Sequence, residues 1–138
     1  MDQLEVTRKY GYQMTHTMIG STPNNAQYYG IIWNITHPVE IMRVFVSFGT
    51  SSTSGTLQLE KLTGTQASGA GTNIFKSAFS TSGTANTVVE KKGIDMASDR
   101  QFRTGDRLGL VNGGTLTSLT NLVITIYYKP LARGEYST

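Results

Sequence analysis

The sequence predicts an all-β fold, an antiparallel, jelly-roll-like β-sandwich of about eight strands. Three observations carry this. Short runs alternate apolar and polar side chains, which is the period of a half-buried strand. Clusters of Gly, Pro and Asn separate those runs. No segment sustains the 3.6-residue period of a helix, and strands without long intervening helices stack as a sandwich or barrel. The 15 glycines in 138 residues suit many turns, and the length suits one domain with a hydrophobic core. The runs are spaced too irregularly for a propeller or solenoid.

Taken in order, residues 1–25 show no clear alternation and mix Met14, Met18 and Ile19 with Tyr10, Tyr12 and His16. They are expected to form an arm with a first strand, separable from the sandwich. The sandwich proper is expected over 26–130, with a loose tail over 131–138. AQYYGIIWNI (26–35) is rich in aromatic and β-branched residues and lies between Pro23-Asn24-Asn25 and His37-Pro38. VEIMRVFVSFG (39–49) places Met42, Val44, Val46 and Phe48 on one face, and Ile41, Arg43, Phe45 and Ser47 on the other. GTLQLEKL (55–62) alternates Leu57 and Leu59 against Gln58 and Glu60. NIFKSAF (73–79) has room for one helical turn, and TVVEKK (87–92) is a shorter strand. DRLGLVN (106–112) turns Leu108 and Leu110 inward, and Asn112-Gly113-Gly114 then reads as a turn. NLVITIYYK (121–129) points Leu122, Ile124, Ile126 and Tyr128 to one side and ends at Pro130. The expected core is Val44, Val46, Leu57, Leu59, Leu108, Leu110, Ile124 and Ile126.

Composition narrows the function. Charged residues make up 15% of the chain and the net charge is +3, with no basic face that would argue for nucleic acid. The absence of cysteine excludes disulfides, thiolate metal sites and cysteine nucleophiles. The amino terminus lacks the pattern of a signal peptide, and no run approaches the ~20 apolar residues of a membrane helix. A chain made in the cytoplasm, with no membrane partner, is the expectation.

LEKLTGTQASGAGT (59–72) is the segment most suggestive of chemistry. Gly64 and Gly69 have the spacing of a phosphate-binding loop, but Ala70 occupies the position of its lysine. The dinucleotide pattern fails because Ile74 stands where a third glycine belongs. A surface loop joining two strands is the expectation. His16 and His37 are the only histidines, and neither has an evident acid–base set around it. Asp95, Asp99 and Asp106 lack calcium-loop spacing, and no G-x-S-x-G elbow occurs. No catalytic residue, metal or cofactor is assigned, and the chain is read as a non-enzyme. Tyr29 and Trp33 are a candidate sugar platform, since alternation puts them on one face with Ile31 between. Burial of Trp33 in the core is the competing expectation.

The order NAQYYGIIWNITHPVEIMRV, TLQLEKLTGT, an Ala/Gly-rich loop and RTGDRLGLVNGGTLTSLTNLVITIYY resembles small jelly-roll virion structural proteins of tailed bacteriophages, of the capsid-decoration, head-fibre and tail-attached types. The resemblance covers about residues 24–129, although GDRL also opens strands in unrelated jelly rolls. In that motif Gly105 permits a tight turn and Asp106 can bond local backbone amides. It implies a protein made in the bacterial cytoplasm and located in the virion. There it would decorate or reinforce the capsid as a homo-oligomer, by expectation a trimer, against the major capsid protein or other virion proteins. Met14, Met18, Ile19, Arg100, Arg103 and Arg107 are the candidate assembly interface, being apolar residues of the arm and arginines of a kind that interfaces favour. The alternative is a carbohydrate- or receptor-binding module of a phage fibre or tail.

Overall fold

The computed structural model describes residues 11–21, 29–94 and 97–132. The chain is a β-sandwich of two antiparallel sheets. Its strands are β1 (Tyr12–Ser21), β2 (Gly30–Asn34), β3 (Val39–Ser47), β4 (Ser54–Leu62), β5 (Thr72–Asn73), β6 (Phe79–Ser80), β7 (Val89–Glu90), β8 (Gln101–Phe102), β9 (Arg107–Thr115) and β10 (Thr120–Pro130). One helical turn, Ala97–Arg100, precedes β8. The first sheet runs β1-β10-β3-β7, with β8 also on β3; the second runs β2-β9-β4-β5, with β6 also on β4. The pairing is nested: β1 with β10, β2 with β9, β3 with β7 and β8, β4 with β5 and β6. Such nesting is a long antiparallel ribbon wound into two layers, the course of a jelly roll. Among the described residues, six strands have five or more residues and four have only two, so the expected eight appear there as ten segments.

The eight residues expected in the core all lie there, each at most 2% exposed. Alternation identified them because one face of each strand meets the other sheet. Loop residues Phe48, Ile74, Phe75, Leu116 and Leu119 are buried with them.

Four local expectations are corrected. Ile41, not Met42, faces the core: Tyr127 pairs with Arg43 and Tyr128 with Ile41, which leaves Met42 as the extra residue of a bulge. The bulge reconciles Val39 and Ile41 with Val44 and Val46, two apolar pairs that are out of phase in a regular strand. Second, Gly113 and Gly114 do not form a turn but continue β9 opposite Thr56 and Gly55. Gly114 has φ +64, and a side chain there would strike the Ser54 carbonyl, so glycine here permits close strand approach. Third, residues 73–79 form no helical turn; Ile74 and Phe75 plug the core, and Phe75 bridges to Ile94.

Fourth, the first strand expected within 1–25 is present but belongs to the sandwich, so residues 12–21 are not an arm outside it. They form the ten-residue β1 along β10, and Met18 lies in the core at 2% exposure. The strand begins where Gly11, at φ +83, turns so close to Tyr128 that a Cβ would sit 2.6 Å from its carbonyl oxygen. At the other end of the chain, Leu131 is buried and its amide donates to Pro38. Residues 1–10 and 133–138, with the remainder of the expected arm and tail, lie outside the described residues.

The bulge yields a contrast that tests the fold. Ile41→Ala is expected to cost about 2–5 kcal/mol, as for other buried aliphatic truncations. Met42→Ala is expected to stay within about 0.5 kcal/mol, as at an exposed site. Urea unfolding of both variants checks this, and equal effects would remove the bulge.

Candidate functional site

The glycine-rich loop resolves into a defined device. Glu60 points away from the core with Leu62, yet Glu60 is only 1% exposed and Leu62 fully buried. The loop between β4 and β5 folds back over both. Its Gly69 amide donates to one Glu60 carboxylate oxygen at 2.7 Å, and its Gly71 amide to the other at 3.1 Å. Arg107 donates to the Gly64 carbonyl at 3.1 Å, and the Thr63 amide to the Gln66 side chain at 2.8 Å. Glycine serves here by omission. A Cβ on Gly109 would lie 2.8 Å from Glu60 Cγ, and one on Gly71 would lie 2.5 Å from the Lys61 carbonyl oxygen. The loop therefore does bind an anion through backbone amides, and the anion is the chain's own carboxylate.

The outer face of the first sheet is built differently. Beyond the Met42 bulge, Arg43, Phe45 and Ser47 face outward beside Tyr127, Thr125 and Val123 of β10. Arg43 holds Glu90 in a two-pronged pair, Nε and Nη2 each at 2.8 Å, and Lys92 adds a contact at 2.8 Å. The Arg43 guanidinium also lies 4.8 Å from the Phe45 ring centre, and Phe45 meets Tyr127 edge-on. The Arg43 hydrogen bond, then that of Lys92, lowers the Glu90 carboxyl from 4.5 to about 2. Nearer the sheet's end, Glu40 is buried and accepts from Gln101 at 2.9 Å, with Lys129 at 3.8 Å.

The residues singled out from sequence separate rather than converge. Met18 is core, Met14 packs against it, and only Ile19 of the three is exposed, at 80%. Arg107 is engaged with the glycine-rich loop, Arg103 sits in an exposed turn, and Arg100 ends the helical turn. The turn at 103–106 is the one expected from GDRL: Gly105 has φ +96, and the Asp106 carboxylate accepts from the Arg103 amide at 2.8 Å. Tyr29 and Trp33 both pack against the core. A bulge at Ile32 puts Trp33 opposite Leu108, so β2 shows Ile31 outward instead. The Trp33 ring lies 4.8 Å from Tyr128, which stacks on Tyr12 at 5.8 Å. This aromatic series runs from β2 across β10 to β1. His37 is exposed in the β2–β3 turn, and Asp95 lies outside the described residues. Among the described residues there is no group of three or more His, Cys, Asp or Glu placed to hold a metal, and no helix long and apolar enough to cross a membrane.

What sequence reasoning missed is Glu60 as an anchor. Its signal was a lone carboxylate two residues before Leu62, on a strand that runs into a glycine-rich loop. Nothing in spacing alone shows that the loop returns over it.

Glu60→Gln is expected to destabilise the fold by about 2–4 kcal/mol, since an amide can accept from only one of the two glycine amides and faces the other donor to donor. Denaturant unfolding checks the magnitude, and faster hydrogen exchange at Gly69 and Gly71 checks the place. A second expectation concerns pH. A carboxyl held lower in the fold than in the unfolded chain contributes stability that is complete above the ordinary value of 4.5 and is lost as pH falls toward about 2. Glu90→Gln should therefore flatten the urea midpoint between about pH 5 and 2. An unchanged pH profile would contradict the pairing.

No family model, curated protein or solved structure matches the chain.

Proposed function

We propose that this chain is a non-enzymatic structural protein that assembles as a homo-oligomer, and that its setting is the virion of a tailed bacteriophage, where it decorates or reinforces the capsid. The observation that carries the assembly reading is the unequal surface of the sandwich. One sheet has a loop tied over part of its outer face by Glu60, whereas the other presents Phe45, Tyr127 and a threonine-rich strip beside a long edge strand. A scaffold with chemistry would be expected to gather titratable groups in a cleft. Here Arg43 and Lys92 pair with Glu90 at the surface, and the buried Glu60 is taken up by the amides of Gly69 and Gly71. The phage setting rests on the sequence resemblance, with which the jelly-roll strand order agrees. The sugar-platform alternative loses its support where Trp33 packs inward against Tyr128.

Size-exclusion chromatography with light scattering, over a hundredfold range of concentration, tests assembly. The expected mass is a multiple of the 15.0 kDa subunit. A single-subunit mass throughout would overturn the assembly reading. Mass spectrometry of particles assembled from the same genome tests the setting: copies of the chain are expected there, and their absence would overturn it.

A further inference from the structure

We propose that residues 63–71 are a latched strap: they open from the second sheet as a unit while the sandwich stays folded, Glu60 is the latch, and Leu62 is what the opening uncovers. The inference stands apart from the assembly reading. It comes from what holds the segment in place. The strap leaves β4 after Leu62 and reaches across β9 as far as β2, where a Cβ on Gly30 would lie 3.5 Å from the Ser68 hydroxyl. It then returns to β5 at Thr72. One Leu62 methyl group lies against Gly71 and the other against Gly109, where added Cβ atoms would stand 2.9 and 3.2 Å away. Strap and sheet thus enclose a fully buried leucine on the face that points away from the core.

Polar contacts close the strap. Its sequence, TGTQASGAG, has no apolar side chain larger than alanine, and both Ala67 and Ala70 are exposed. The Gly69 and Gly71 amides tie it to Glu60, and Arg107 holds its Gly64 carbonyl. Opening exchanges such bonds for bonds to water, at a small net cost for each. The released Glu60 carboxylate becomes solvated rather than stranded. The strap draws no side chain of its own out of the core, so the apolar cost of opening is the exposure of Leu62. Segments with few buried apolar contacts open well below the free energy of global unfolding. The chain just beyond is fixed differently. Ile74 and Phe75 are buried in the core, and Gln58 clasps the Phe75 backbone, accepting from its amide at 2.9 Å and donating to its carbonyl at 3.2 Å. Those anchors set the far limit of the moving unit. At the near end Gly64 has φ +56 and open space where a side chain would stand, which suits a pivot.

Amide hydrogen exchange of the full chain, followed by NMR at urea concentrations below the unfolding transition, tests the opening. Relative to their intrinsic rates, Gly69 and Gly71 are expected to exchange roughly tenfold or more faster than the amides of the β4–β9 ladder, at rates that barely respond to urea. Exchange of both glycines at the ladder's rates and with the ladder's urea dependence would overturn the strap, because opening would then be global. Thiol labelling tests the latch and what it covers. The chain has no cysteine, so Leu62→Cys supplies a single thiol beneath the strap. Its reaction with a maleimide is expected to accelerate by roughly thirtyfold or more when Glu60→Gln is added. An unchanged labelling rate would overturn Glu60 as the latch. The exchange measurement on the unaltered chain decides the opening whether or not these variants fold.

Discussion

The fold depends on β10, which is the middle strand for both the first and the last parts of the chain. Over eleven residues it carries β1 on one side and β3 on the other, and Leu122, Ile124 and Ile126 face the second sheet from between them. It reaches this place only after nearly the whole chain has been laid down. Its partner β1 is about a hundred residues away, as the Gly20 amide bonding the Asn121 side chain illustrates. Loops of that size must close before the contacts reward them, which places the chain among slow-folding, high-contact-order topologies. No disulfide shortens any loop, so burial between the sheets must hold the pairing.

Backbone accommodation follows from the same demand. Two bulges, at Ile32 and Met42, keep apolar side chains inward where strict alternation would not. Each also redirects the residues beside it. The first packs Trp33 against the core, and the second turns Ile41 inward and leaves Met42 exposed.

The glycine-rich loop shows one backbone solution serving a different end from the one its composition suggests. Successive amides freed by glycine make an anion-binding concavity wherever they occur. Here the concavity receives Glu60, which fastens the loop and helps cover part of the second sheet. A carboxylate that would ordinarily be solvated becomes a structural tie because the loop supplies its hydrogen bonds. The outer face of the first sheet has no comparable loop tied across it among the described residues.

Alternation along each strand determined the fold class and all eight expected core positions, because a side chain on a pleated strand has only two directions and water penalises the wrong one. The turn at Gly105-Asp106 was equally legible, since its hydrogen bond spans three residues. What sequence could not place were features that depend on a neighbouring strand. The Met42 bulge exists because β10 offers Tyr127 and Tyr128 at fixed spacing. Gly113 and Gly114 extend a strand because β4 lies alongside to pair with them. Met18 is core, rather than part of an outlying arm, because β10 draws β1 onto the sheet. Glu60 is buried because a loop returns to it across nine and eleven residues. Local pattern sets which way a side chain prefers to point, and only the packed tertiary structure decides what stands there to receive it.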